Sequence, residues 1–100
     1  MYVPIELDRA RNFRYGMKAI SHIEKKLKRP MAKVDLEALT MEDTSIVIWA
    51  GLVHEDKNLT PNRVMDLIDD KGNLQEVLES MGEAFKYAFG PGNGEEEKNE

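Results

Sequence analysis

His22 and His54 are the residues best suited to proton transfer or metal ligation in this chain, and neither has the neighbours such chemistry needs. His54-Glu55-Asp56 lacks the second imidazole one helical turn away that a helix-borne zinc site requires. A histidine near a helix C-terminus is better explained by the negative end of the helix dipole. The chain has no cysteine, which removes disulfides, thiolate zinc sites and cysteine nucleophiles together. Asp69-Asp70-Lys71-Gly72-Asn73 has the composition of a calcium loop but not its spacing. With Gly72 at the loop glycine, ligand positions fall on Leu67 and Lys71, and the closing glutamate position falls on Leu78. Gly90, Gly92 and Gly94 follow a helical segment, so they cannot cradle a phosphate at a helix N-terminus. Asn58-Leu59-Thr60 has the form of a glycosylation sequon, yet Thr60 reads better as a helix cap. No GxSxG or P-loop motif occurs, and no carboxylate is paired with a base. The expectation is a protein with no catalytic residues, no cofactor and no metal, and therefore a binding protein rather than an enzyme.

Composition narrows this further. One hundred residues suit a single domain, and a chain of this size buries roughly two-thirds of its unfolded surface. Hydrophobic residues at 41% and charged residues at 33% are globular usage. A net charge of -5 works against non-specific nucleic-acid binding. The first residues lack the charged leader and long apolar run of a signal peptide, and Ile46 to Val53 is too short an apolar stretch to span a bilayer. The reading is a cytosolic protein with neither nucleic acid nor membrane as partner. Charge is unevenly placed: Arg9 to Lys33 is basic, and the chain is acidic from Glu37 onward. A solvated helix face explains the basic run, and so does a docking face for an acidic partner or a neighbouring subunit.

The elements follow from periodicity and punctuation. Val3, Ile5 and Leu7 alternate as in a strand, Asp8 to Asn12 reads as a turn, and Phe13 and Tyr15 share a period of two. This predicts a small N-terminal β-hairpin or strand with Pro4 at an edge. Met17, Ile20, Ile23 and Leu27 then mark one face of a first helix, which Pro30 stops. Met31 to Leu39 is a connector pinned by Val34, Leu36 and Leu39. Thr40 caps a second helix, with an acid three residues on, and its apolar run from Ser45 to Val53 predicts burial all round, Trp49 included. Thr60-Pro61 opens a third helix that ends at Gly72. Asn73 caps a fourth, whose stripe is Leu74, Val77, Leu78, Met81, Phe85 and Ala88. The fold class is therefore mainly α: a compact four-helix domain over residues 1–89 with a small N-terminal β element. A Gly-rich acidic tail over 90–100 has nothing to bury and is expected to be disordered.

Six methionines and seven aromatic residues stand out. Met65, Met81, Phe85, Tyr87 and Phe89, on the last two helices, fit two readings. They are core, or they line an exposed groove for the apolar face of a partner helix.

The order of these phrases is also informative. A short β segment precedes Phe13-Arg14-Tyr15-Gly16-Met17-Lys18-Ala19-Ile20 and Ile23-Glu24-Lys25-Lys26-Leu27. Trp49-Ala50-Gly51-Leu52-Val53-His54-Glu55-Asp56 follows, with Leu59-Thr60-Pro61 close behind. A glycine-broken helix, an Ala84-Phe85 helix and a Gly-rich acidic end complete the pattern. Over residues 3 to 89 this resembles the tail assembly chaperones of long-tailed, non-contractile bacteriophages and prophages of Gram-positive hosts. The resemblance implies a helical protein of viral morphogenesis that coats the tape measure protein, keeps it soluble and helps recruit tail tube protein. It implies work in the host cytoplasm and absence from the mature virion. It also implies a longer form made by ribosomal frameshifting, for which Glu97-Lys98-Asn99 can be encoded as a slippery run. Apolar client stripes aggregate unless covered, and an acidic cover would keep the complex soluble. The same faces would support a homo-oligomer. The rival expectations are a small structural tail or head-completion protein retained in the virion, and a host regulatory adaptor.

Overall fold

Val3, Ile5 and Leu7 point inward while Pro4 and Glu6 stay exposed, and this alternation builds the first strand of the computed structural model, which describes residues 3–89. Strand β1 (Val3–Glu6) pairs antiparallel with β2 (Ala10–Phe13) in the register Val3↔Phe13, Pro4↔Asn12, Ile5↔Arg11 and Glu6↔Ala10. Pro4 has no N–H, and Asn12 opposite it turns its own N–H to the Glu55 carboxylate at 3.1 Å. A two-stranded ribbon is marginal alone. Here the turn is clamped by Asp8, whose carboxylate accepts from Arg11 Nε at 2.8 Å and Nη2 at 2.9 Å.

Helix α1 (Met17–Leu27) buries Ala19, Ile23 and Leu27. The expected stripe included Met17, but Met17 is 90% exposed. At 100° per residue it lies about 120° around the helix from Ile23, so α2, against which α1 packs, selects the Ala19 side instead. The helix closes at Lys28, whose φ of 61° is left-handed and whose N–H returns to the Glu24 carbonyl. Pro30 follows and starts a short 3-10 turn, Met31–Lys33. Val34, Leu36 and Leu39 pack partly buried against the core, as the connector reading expects.

Helix α2 (Met41–Leu52) begins where the Thr40 hydroxyl accepts from the Asp43 N–H at 3.1 Å. It is buried nearly all round, and it touches α1, β2 and α3 (Pro61–Lys71). Its buried hydroxyls are satisfied within the helix: Thr44 donates to the Thr40 carbonyl and Ser45 to that of Glu42. Trp49 is 8% exposed, and its indole N–H donates to the Leu59 carbonyl at 2.8 Å. Thr60 caps α3, and Asn73 accepts from the Glu76 N–H at the start of α4 (Leu74–Phe89). Helix α4 lies across both strands of the hairpin. The mainly helical fold with its N-terminal hairpin is as expected, except that Ala10 to Asn12, read as part of the turn, belong to β2 and pair with β1. The Gly90–Gly94 break and the acidic tail lie outside the described residues.

Gly51 permits the tightest packing. A Cβ there would lie 2.6 Å from Tyr15 Cζ and 2.8 Å from Phe13 Cδ1. Its carbonyl also accepts from the Arg14 N–H at 2.9 Å, which locks the end of the hairpin onto α2.

Candidate partner-binding surface

The five residues read as either core or an exposed partner groove divide between the two. Met81 and Phe85 are 5% and 6% exposed and belong to the core. Phe85 faces the hairpin, where it stacks on Tyr15 with ring centroids 4.1 Å apart. Met65 is half-buried and lines a groove of about 320 Å³ between α2, α3 and the start of α4, together with Met41 and Leu74. Tyr87 and Phe89 are exposed. Phe89 lines a second groove, of about 560 Å³, with Tyr15, Met17, Ile20 and Ala88.

Both grooves contain exposed apolar residues outside the expected set: Met17 in one, Met41 and Leu74 in the other. Met17 and Met41 share a sequence signal. Each is the first residue of its helix, where no preceding turn covers the side chain. Phe89 lies on the Phe85 stripe, but one turn past the hairpin that covers Phe85. A ladder of stacked rings runs Phe13, Tyr15, Phe85, Phe89, with centroid separations of 5.9, 4.1 and 5.8 Å. It leads from the fully buried Phe13 to the open groove.

The basic run divides in the fold. Arg11 is 3% exposed and fully engaged by Asp8, with Asp56 at 3.5 Å and Arg9 bridging to the same Asp56. The Arg11 hydrogen bond holds the Asp8 carboxyl down at about 2. Desolvation pushes the Glu55 carboxyl up, but the hydrogen bonds from Asn12 outweigh it and leave Glu55 below its ordinary value. Lys26 sits 5.3 Å over the Trp49 ring, and Arg29 bridges to Asp43.

His22 meets the Trp49 ring edge-on, with centroids 5.2 Å apart, and the His54 Nε2–H donates to the Asn12 carbonyl at 2.9 Å. Among the described residues no group of three His, Cys, Asp or Glu side chains is placed to hold a metal ion, and no helix is long and apolar enough to cross a membrane. The described surface carries two apolar grooves, one with Met17 and Phe89 and one with Met41, Met65 and Leu74. Comparison of the chain with protein-family models, with curated proteins and with solved structures finds no match in any of the three.

Proposed function

We propose that this protein is a bacteriophage tail assembly chaperone that binds the tape measure protein, keeps it soluble during tail morphogenesis and helps recruit tail tube protein. One observation supports this reading most: the open apolar groove between the first turn of α1 and the end of α4, where Met17 is 90% and Phe89 45% exposed. A client helix carries its apolar residues as a stripe, and such a stripe docks into a groove of this kind. Covering the exposed Met17 side chain contributes about 1.5–3 kcal/mol and covering the half-exposed Phe89 roughly half of that, enough for a graded, reversible cover along a long client. Methionine adapts to varied apolar neighbours, which suits a client whose sequence changes along its length. The net charge of -5 favours solubility of the coated complex.

Co-expression with the tape measure protein tests the proposal. Soluble yield of that protein should rise, and the double variant Met17→Asp, Phe89→Asp should abolish the gain while its melting temperature stays near that of the parent. A gain that is absent with the parent, or unchanged in the variant, rejects the groove. Recovery of the protein at fixed copy number in purified virions would replace the chaperone with a structural tail or head-completion component.

A further inference from the structure

Arg14, Lys18 and Lys57 converge with His22 and His54 on a cleft of about 530 Å³ between the first turns of α1 and the C-terminal end of α2. No carboxylate lines this cleft, although the chain carries 19 acidic residues against 14 lysines and arginines. The other basic side chains near the hairpin are neutralised: Arg11 by Asp8 and Asp56, Arg9 by Asp56. None of the ion pairs among the described residues involves Arg14, Lys18 or Lys57. The Arg14 guanidinium folds over the α1 cap residue, since a Cβ placed on Gly16 would lie 3.9 Å from its Cζ and Nη1. Lys18 occupies the first turn of the same helix, which contains no acid. Cations in a first turn oppose the helix dipole, so the arrangement is electrostatically unbalanced as it stands. The side chains, not the helix end, set the charge of the cleft.

The open apolar part of the floor is Met17, 90% exposed, and the partly exposed Val53, since Ala19 and Ala50 are already buried. A bare oxyanion would satisfy the rim and leave that floor wet. An acidic peptide carrying an apolar side chain between its carboxylates satisfies both, with Arg14 able to hold one carboxylate bidentately. We propose that this cleft docks an acidic segment of a partner protein, whose carboxylates pair with Arg14, Lys18 and Lys57 while an apolar side chain covers Met17 and Val53. Gly16 and Met17 also line the Met17–Phe89 groove, but Arg14, Lys18 and Lys57 do not, and docking here does not depend on the tail-chaperone reading.

The test uses the full chain and three blocked peptides: Glu-Glu-Leu-Glu-Glu, its glutamine counterpart Gln-Gln-Leu-Gln-Gln, and Glu-Glu-Gly-Glu-Glu. Binding is followed by calorimetry and by emission of Trp49, the one tryptophan, which His22 of the cleft wall contacts directly. The first peptide should bind saturably, more weakly as salt is raised, and more tightly than either of the others. The double variant Arg14→Glu, Lys18→Glu should weaken it by about tenfold or more, the product of two rim charge contacts, with no loss of the thermal transition. The double variant Lys33→Glu, Lys71→Glu, with the same net charge, should stay within about twofold of the parent. Any of four results overturns the proposal: no saturable binding, equal binding of the glutamine or glycine peptide, equal weakening by the two double variants, or inorganic phosphate binding at Arg14 and Lys18 more tightly than the peptide. The last would make the cleft a small-oxyanion site.

Discussion

Tyr15 and Phe85 stack with their ring centroids 4.1 Å apart and their planes 20° apart, and this contact joins the exit of the hairpin to α4. The Tyr15 hydroxyl reaches on to α2, where it donates to the Val47 carbonyl at 2.7 Å. One side chain thus ties three elements together. Burial raises its phenol ionisation well above the ordinary value, so the hydroxyl remains a donor. Because α4 continues one turn past this stack, its last aromatic residues stand where the core opens to solvent.

Phe85 and Phe89 should therefore behave oppositely on truncation. Phe85→Ala removes a buried ring packed on both sides and should lower the unfolding free energy by about 3–5 kcal/mol. Phe89→Ala removes a ring 45% exposed and should cost no more than about 1 kcal/mol. Urea unfolding of the two variants checks this. Equal losses would mean that the ladder is not graded from core to surface.

Trp49 combines packing with a buried hydrogen bond, and two substitutions separate these contributions. Trp49→Ala should cost about 3–5 kcal/mol through the cavity it leaves. Trp49→Phe keeps most of the apolar volume but strands the Leu59 carbonyl, and should cost about 1–3 kcal/mol. A Trp49→Phe variant as stable as the parent would show that water or another donor satisfies that carbonyl.

The Asp8–Arg11 clamp predicts how stability falls in acid. The folded-state pKa of Asp8 is about 2 against an ordinary 3.8, because Arg11 hydrogen-bonds its carboxylate. A depressed folded pKa gives stability that is complete above about pH 4 and is lost as pH falls toward about 2. Asp8 is an exposed residue, so solvent screening reduces the contribution to about 1 kcal/mol or less. Glu55, also lowered, acts in the same direction. Asp8→Asn should flatten the acid limb of a stability-against-pH curve between about pH 4 and 2. An unchanged limb would place the acid sensitivity elsewhere.

The helix starts were legible in the sequence because a cap is local: Thr40, Thr60 and Asn73 each accept from an N–H three residues on, and each can be read from adjacent residues. The buried face of α1 was not. Counting large apolar residues favours Met17, whereas the fold buries Ala19, a choice made by α2 rather than by the helix itself. Arg11 read as one member of a basic run. Its burial depends on Asp56, 45 residues away, as well as on Asp8 across the turn. Met81 and Phe85 carried the right character for either core or surface, and only the hairpin lying against α4 decides between them. The cationic cleft is the same kind of object. Arg14, Lys18 and His22 meet His54 and Lys57 only because α1 packs on α2, which those two residues follow.

Two helix-interior glycines give a paired prediction of opposite sign. Glycine within a helix is less favourable than alanine by about 1 kcal/mol, so Gly→Ala stabilises wherever the methyl group has room. Gly82 in α4 has that room, since a Cβ there meets nothing within 4 Å. Gly82→Ala should raise the unfolding free energy by about 0.5–1 kcal/mol. Gly51 in α2 does not: its Cβ would lie 2.6 Å from Tyr15 Cζ and 2.8 Å from both Phe13 Cδ1 and the Tyr15 hydroxyl. Those rings cannot swing aside, because Tyr15 is held by Val47 and Phe85, and Phe13 is fully buried. Gly51→Ala should therefore destabilise by about 1–3 kcal/mol despite the gain in helix propensity. It should also disturb the Tyr15–Val47 hydrogen bond, which ultraviolet titration would report as easier ionisation of the Tyr15 phenol. Thermal or urea unfolding of both variants gives the comparison. If Gly51→Ala stabilised the protein as Gly82→Ala should, the close approach of the hairpin rings to α2 would be wrong.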